Sequence, residues 1–548
     1  MGDDEERIDY ASSRRNSSSV EGGDKKQSIA LDHDEHVVKD HAADEDAGFV
    51  NSRPSGLLVL LVFVSSVSHL MFGYDTGYIS SALVSIGTDL DNKVLSSGEK
   101  EFITSATSLG ALCGAAVTGY LADVFGRKYT SIGANVFLIW GAAMQCGAHT
   151  VWVMIGGRFV MGWGVGIGSA VSPLFITEVS PPTFRGRMVT VASIIRTGAQ
   201  LVAYAIGAGL EKVHNGWRIL VGISLIPTVL QAIGLFFLPE SPRFLVQKGR
   251  LEDARRVLMQ THRGSSRELI ERKVEDLVVS TQEVYPEGAS LMRRAYLKLK
   301  ELHTVPSNLR ALIIVCGCQG INQFTGFNSL MYFSATIFES AGFQDSTAVS
   351  IVVAGANWIF TVAIFFFIDR IGRRVLMLTS LAGMIVSMAI CSLAFHFIPI
   401  HFEGDEVAEP TGGMSSWDIV IIVFMMLYVS FYAIGVGSVP WQQSELFPMS
   451  VRGLGSSFAT MTNWAGSLVI ASTFLTMMKN ITPTGTFAFF AGISLVSFVF
   501  IYFLYPELSN MSLEETQHML ADGFNIKQSV ALSKERKALA KERQNSSV

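Results

Sequence analysis

The chain has 548 residues, 49% of them hydrophobic and 16% charged. That balance excludes an ordinary soluble globular protein of this size. The net charge of −5 decides little, because the charges are segregated along the chain.

Residues 1–50 hold fourteen Asp/Glu against six Lys/Arg and few large apolar side chains. Such a stretch cannot bury enough surface to fold, so 1–54 is expected to be a disordered tail. The first apolar run begins near Leu57 and is long enough to span, unlike a secretory leader. About 20 apolar residues cross a bilayer, and windows of that size give twelve candidate spans. The first six are Leu57–Leu83, Glu101–Leu121, Tyr129–Ala148, Val151–Val179, Met188–Leu210 and Ile219–Leu238. The second six are Leu309–Phe338, Ala348–Ile368, Val375–Ile398, Trp417–Phe447, Leu454–Met478 and Phe487–Tyr505. The expected domains are a six-helix bundle over 55–238, a linker over 239–308, a second bundle over 309–505 and a tail over 506–548. In the linker, Leu251, Ala254, Val257 and Leu258 recur at helical spacing, which predicts short amphipathic helices.

Orientation follows from Lys and Arg. The loops after the second, fourth, eighth and tenth spans hold Arg127, Lys128, Arg185, Arg187, Arg370, Arg373, Arg374 and Arg452, and the linker adds thirteen more basic residues. The opposite loops hold few, and 399–416 carries acidic residues with no Lys or Arg. Both termini and the linker are therefore expected on the cytoplasmic side.

The charged loops repeat. Asp123-Val-Phe-Gly126-Arg127-Lys128 returns as Asp369-Arg-Ile-Gly372-Arg373-Arg374, and Glu178 through Arg185-Gly186 returns as Glu445 through Arg452-Gly453. Two homologous membrane halves are the architecture of carriers that alternate access around a central seam.

These motifs resemble the sugar porter family of the major facilitator superfamily. The resemblance is carried in order by Gly119-Tyr-Leu-Ala-Asp123-Val-Phe-Gly126-Arg127-Lys128, by Gly157-Arg158, by Glu178 to Arg185-Gly186, and by Pro239-Glu240-Ser241-Pro242-Arg243. Gln323-Phe-Thr-Gly-Phe-Asn328, Pro506-Glu507 and Leu513-Glu514-Glu515 continue it, over about 57–520. Within that family, Glu301 to Arg310, Val439-Pro-Trp-Gln-Gln-Ser-Glu445 and Asn463 to Ser472 are most similar to fungal myo-inositol/proton symporters. The resemblance implies an all-α membrane protein with 12 transmembrane helices in two pseudo-symmetric six-helix halves. It also implies a plasma-membrane carrier that imports myo-inositol with protons.

Asp75 lies inside the first span and Arg158 early in the fourth. A carboxylate in a membrane must be paired, wet or protonated. Arg158 is its natural counter-charge, and the resemblance assigns the two to proton coupling. A permanently ionised structural pair is the alternative. A polyol needs uncharged groups that both donate and accept, plus a flat apolar face. The resemblance places Asn322, Gln323, Asn328, Asn357 and Asn463 around such a site, with Gln200 a weaker addition. Trp441 and Trp464 fit the flat face. The repeated charges suit a latch at the cytoplasmic end, in which Asp123, Arg127, Glu178, Arg185, Glu240 and Arg243 of one half face Asp369, Arg373, Glu445 and Arg452 of the other. His69 in the first span is read as a packed, hydrogen-bonded histidine.

No nucleophile–base pair, metal-ligand spacing or P-loop is present, so no enzyme, metal or ATP-driven cycle is expected. The proton is the only coupling partner expected besides the polyol and the bilayer; no nucleic-acid partner is. The carrier is expected to act as a monomer, with the tails open to phosphorylation and ubiquitination machinery. The rivals are a hexose or other polyol carrier of the same family, and a nutrient sensor that signals without flux.

Overall fold

A computed structural model describes residues 55–181, 185–281, 291–340, 346–398, 402–403, 406–407, 416–448, 450–509, 511 and 513–546. The expected disordered tail over 1–54 lies outside them. Among the described residues, nine helices are long and apolar enough to cross a membrane. The other three passages, Arg127–Cys146, Pro306–Ser340 and Arg452–Asn480, are shorter, broken or more polar, and complete the twelve.

The first half runs Gly56–Ser85, Ser97–Phe125, Arg127–Cys146, Val151–Val179, Arg185–Leu210 and Gly216–Phe237, the last bent at Ser224. The second runs from Pro306 through Ser346–Ile371, Arg373–His396, Ser416–Glu445 and Arg452–Asn480 to Thr482–Leu504. Local chemistry sets the starts. Ser55 accepts from the Leu58 N–H at 3.1 Å, Ser96 and Glu99 form a reciprocal capping box, and Pro306 and Pro483 occupy first turns that need no N–H donor. Large apolar side chains such as Phe237, Val496 and Phe503 point outward, which suits a bilayer and no aqueous surface.

Packing repeats six spans on. The second span packs on the fourth as the eighth does on the tenth, and the first on the fifth as the seventh does on the eleventh. Across the seam the second span meets the eleventh and the fifth meets the eighth. Backbones touch where the first span meets the fifth: a Cβ on Gly73 would fall 1.9 Å from the Arg196 carbonyl oxygen. Gly73→Ala is therefore expected to abolish correctly folded carrier, because the obstacle is backbone and cannot swing aside. A monodisperse detergent-extracted peak at wild-type yield would contradict this.

Two spans break at mid-depth. The seventh stops at Thr325 and restarts after Gly326, which holds a left-handed φ of +89°. The tenth stops at Ile434 and resumes as the 3-10 turn Val439–Glu445. Breaks free backbone carbonyls that hydrocarbon cannot satisfy. Here Tyr428 donates to Thr325 O at 2.8 Å, Asn322 to Val436 O at 2.7 Å and Gln319 to Pro440 O at 3.1 Å.

The linker forms four helices, Pro242–Gln247, Leu251–Thr261, Arg267–Thr281 and Leu291–Thr304. The first three share a small core that includes Ala254, Val257 and Leu258, while Leu251 stays exposed. A two-residue hairpin pairs Phe402–Glu403 with Glu406–Val407. The tail after 505 carries helices Leu513–Ala521 and Ile526–Ser546. Arg310 caps the first of these, donating to Leu520 O and Ala521 O at 2.5 Å each.

Candidate functional site

Asp75 and Arg158 meet between the first and fourth spans. Arg158 Nη1 donates to Asp75 Oδ1 at 3.0 Å and Nη2 to Oδ2 at 3.2 Å, with the residues 0% and 1% exposed. The guanidinium also donates to Ile103 O at 2.7 Å and to the Tyr78 hydroxyl at 2.9 Å. Tyr78 in turn donates to Gln145 Oε1 at 2.7 Å. The charged pair is thus bidentate, buried and held by neutral groups around it.

The amides of the second half form one connected network. Gln323 donates to Asn322 Oδ1 and Asn463 Oδ1, each at 3.1 Å. Asn328 donates to Gln323 Oε1 at 2.7 Å. Asn463 donates to Gln319 Oε1 at 2.7 Å, and Gln319 to Gln443 Oε1 at 2.7 Å. Sequence reasoning missed Gln319 and Gln443. Gln319 lies one helical turn before Gln323 on the same face, which was a readable signal. Gln443 sits in the broken tenth span, where spacing gives no face.

Asn357 and Gln200 form a separate pair across the seam, Asn357 donating to Gln200 Oε1 at 3.2 Å. Trp441 and Trp464 flank Phe72 of the first span, with ring centroids 6.4 and 4.8 Å away. Trp464 Nε1 donates to Ser169 in the opposite half at 3.1 Å. Buried amides and aromatic rings thus gather near the seam, the residue types that a neutral polyhydroxy ligand requires.

Residues 61–520 match the family model described as Sugar (and other) transporter. The chain belongs to that family. It is 56% identical over 529 residues to myo-inositol transporter 1 of Saccharomyces cerevisiae, covering 96% of this chain and 90% of that one. It is 51% identical to myo-inositol transporter 1 of Candida albicans, covering 89% and 88%. The structure of the major facilitator superfamily proton:xylose symporter XylE bound to 6-bromo-6-deoxy-D-glucose superimposes with a TM-score of 0.72 at 22% identity, covering 85% of this chain and all of that one. The fold is thus the major facilitator fold, and this sugar transporter is a multi-pass membrane protein rather than an enzyme.

At the linker end of the transporter, each half carries the same brace. In the first half, Arg127 donates to Glu178 at 2.7 Å, and Asp123 lies 3.8 Å and Arg243 3.7 Å from their partners in that cluster. Glu240 accepts from the Arg127 N–H at 3.0 Å and the Ser241 N–H at 2.8 Å. Burial pushes the Glu240 carboxyl up, and these N–H donors and the Arg127 charge offset that only in part. Gly126 makes the capping possible, since its φ is +91° and a Cβ would fall 2.3 Å from Glu240 Oε2. In the second half Arg373 pairs with Glu445. Glu507 accepts from the Arg373 N–H at 3.0 Å beside Gly372, whose φ is +108°. Glu507 is thus the counterpart of Glu240, a role the repeated Pro-Glu dipeptide already signalled.

The sequence pattern expects these two sets to pair with each other when the carrier faces outward. The described ion pairs among them instead run inside each half, because each arginine begins the helix whose neighbouring span ends in the matching glutamate. Arg452 is buried and donates to Phe447 O at 3.3 Å. The side chains of Arg185 and Asp369 lie outside the described residues. Close packing and the linker cross the seam here. A Cβ on Gly119 would come within 2.9 Å of Ser457 Oγ. On helix Leu291–Thr304, Lys298 reaches Asp123 at 3.4 Å and Glu301 accepts from Ser450 at 2.6 Å.

At the far end, Glu101 accepts from the Thr476 N–H at 2.8 Å and its hydroxyl at 2.7 Å. Ser80 accepts from the Ala335 N–H at 3.2 Å. Both links join opposite halves, so the halves touch at both ends.

Proposed function

We propose that the chain imports myo-inositol together with a proton across the plasma membrane by alternating access, with both termini and the linker cytoplasmic. The observation that carries the substrate is the 56% identity, over nearly the whole chain, to a myo-inositol transporter. The basic residues clustered at the linker end support the orientation.

In this reading Asp75 is the proton acceptor. Protonation removes one charge of the bidentate pair and loosens the first span from the fourth. The protonated, loaded carrier then turns over more readily than one whose first and fourth spans are still locked together by the ion pair. A charge crossing 100 mV supplies about 2.3 kcal/mol, enough for about fifty-fold accumulation. Asn322, Gln323, Asn328 and Asn463 exchange their bonds to one another for bonds to ring hydroxyls, with Asn357 and Gln200 closing the site from the side. Trp441 packs on the C–H face of the ring. The braces of Asp123, Arg127, Glu178, Glu240 and Arg243, and of Arg373 and Glu445, keep each half rigid as the inner gate opens, and Arg185, Asp369 and Arg452 join that gate by their places in the repeated loops. The far-end link of Glu101 to Thr476 closes the outer gate.

Uptake of labelled myo-inositol into vesicles with an imposed proton gradient tests this directly. Accumulation should follow the gradient and collapse with a protonophore. Unlabelled inositol isomers should compete, and excess glucose should not. Strongest competition by glucose would assign the carrier to hexoses instead. Glu101→Gln weakens one cross-seam clasp and is expected to raise outward accessibility, read as faster labelling of a cysteine placed at Ser80. Unchanged labelling would remove Glu101 from the outer gate.

A further inference from the structure

A third charge inside the membrane is not used by the mechanism above. Arg196 lies in the fifth span and is buried, with no described carboxylate paired to it. Its backbone is pinned against Gly73 of the first span, and its side chain lies between the first and tenth spans. The guanidinium lies 5.5 Å from the Phe72 ring centroid and 5.3 Å from that of Trp441. Nη2 donates to Gly437 O at 3.1 Å, and the Tyr432 hydroxyl of the amide network is its neighbour.

Arg196 Nε has no hydrogen-bond partner, nor do His69 Nδ1 and Trp441 Nε1. The His69 and Trp441 rings are 5.4 Å apart and edge-on. Unmatched nitrogens from three buried side chains on three spans therefore gather at one corner of the seam. Buried polar atoms are rarely left unmatched without reason, and a buried guanidinium without a counter-ion is costly. Histidine packed beside it was expected to be hydrogen-bonded through the ring, and Nδ1 is not.

We propose that Arg196, with His69 and Trp441, is the specificity-determining corner of the substrate site, its guanidinium fork donating to two adjacent hydroxyl oxygens of the polyol ring. This rests on the polyol reading above. The planar fork matches a pair of neighbouring oxygens as it matches a carboxylate. A lone amide offers no such two-point fit, so the fork reads the relative stereochemistry of two carbons. The contact is also conformational. Arg196 belongs to the first half and Gly437 to the second, so rocking the halves breaks their hydrogen bond and frees the donors for substrate.

The test uses purified full-length carrier in proteoliposomes, with myo-inositol and scyllo-inositol, which differ at one carbon. R196Q is expected to raise the myo-inositol KM by roughly 10- to 100-fold, the scale for hydrogen bonds to a charged group. The maximal rate should change less, and the preference between the two isomers should shrink. R196K keeps the charge but loses the fork, and should restore affinity only in part. An unchanged KM with an unchanged isomer ratio would overturn the proposal. So would a fall in maximal rate and melting temperature together at constant KM, which is what a structural arginine gives. If the wild type carries a hexose instead, the substrate reading fails on its own, and the Arg196 variants are read on that hexose and its epimers.

Discussion

Asp75→Asn is expected to abolish concentrative uptake while sparing exchange of labelled for unlabelled substrate. Accumulation should drop from about fifty-fold at 100 mV to equality across the membrane. Asparagine has the shape of a protonated aspartate and can still accept one hydrogen bond from Arg158. It cannot take up or lose a proton, so neither half-cycle carries one across the membrane. Uptake by the wild type should rise as outside pH falls, and that slope should vanish in the variant. Leaving a buried cation without its partner costs about 3–5 kcal/mol. The remaining acceptors, Ile103 O and Tyr78 Oη, hold part of that cost down. A thermal-stability measurement separates misfolding from uncoupling, and Asp75→Glu, which keeps the carboxylate, should retain pH-dependent accumulation. Persistent accumulation by a folded Asp75→Asn carrier would place the coupling group elsewhere.

The reach of the sequence differs from feature to feature for physical reasons. The spans were legible because hydrocarbon thickness imposes a length on every helix. Asp75 and Arg158 were legible as a pair because each is a charge that hydrocarbon forbids alone. The breaks at Thr325–Gly326 and after Ile434 were not. Each depends on a distant side chain, Tyr428 or Asn322, to take the freed carbonyl, and spacing along the chain says nothing of that. The pairing inside each half, Arg127 with Glu178 and Arg373 with Glu445, was not legible for a similar reason. The repeat shows which residues correspond between halves, but correspondence is symmetry and not contact. Arg196 went unremarked although it too is a charge within a span. Its partners are aromatic faces and a backbone carbonyl, and no acid in the sequence points to it. The helices after residue 505 dock through caps such as Arg310 on Leu520 O and through a few buried apolar side chains, Met519 and Leu520 among them, too few to show as a stripe in the sequence.

The second large effect expected is an asymmetry between the two braces. Arg127→Ala should destabilise the carrier by about 3–5 kcal/mol, the cost of stranding a buried charge. The Arg127 and Glu178 side chains are only 2% and 1% exposed. Glu178 keeps Ser241 and a more distant Arg243 as partners, but loses its closest cation. Arg373→Ala should cost less, because the Arg373 and Glu445 side chains are 11% and 18% exposed and water can take over part of their solvation. The same ordering should appear in the inner gate. With its brace broken, the first half loses the rigid join between the third span, the fourth span and the linker. Cysteines placed at Gly119 and Ser457 should then label faster from the linker side in Arg127→Ala than in Arg373→Ala. Lysine at 127 tests whether charge or geometry matters, since Arg127 also donates to Ala122 O at 3.0 Å with a second nitrogen that lysine lacks. Equal losses in the two alanine variants, in both melting temperature and labelling rate, would show that burial does not set the strength of these braces.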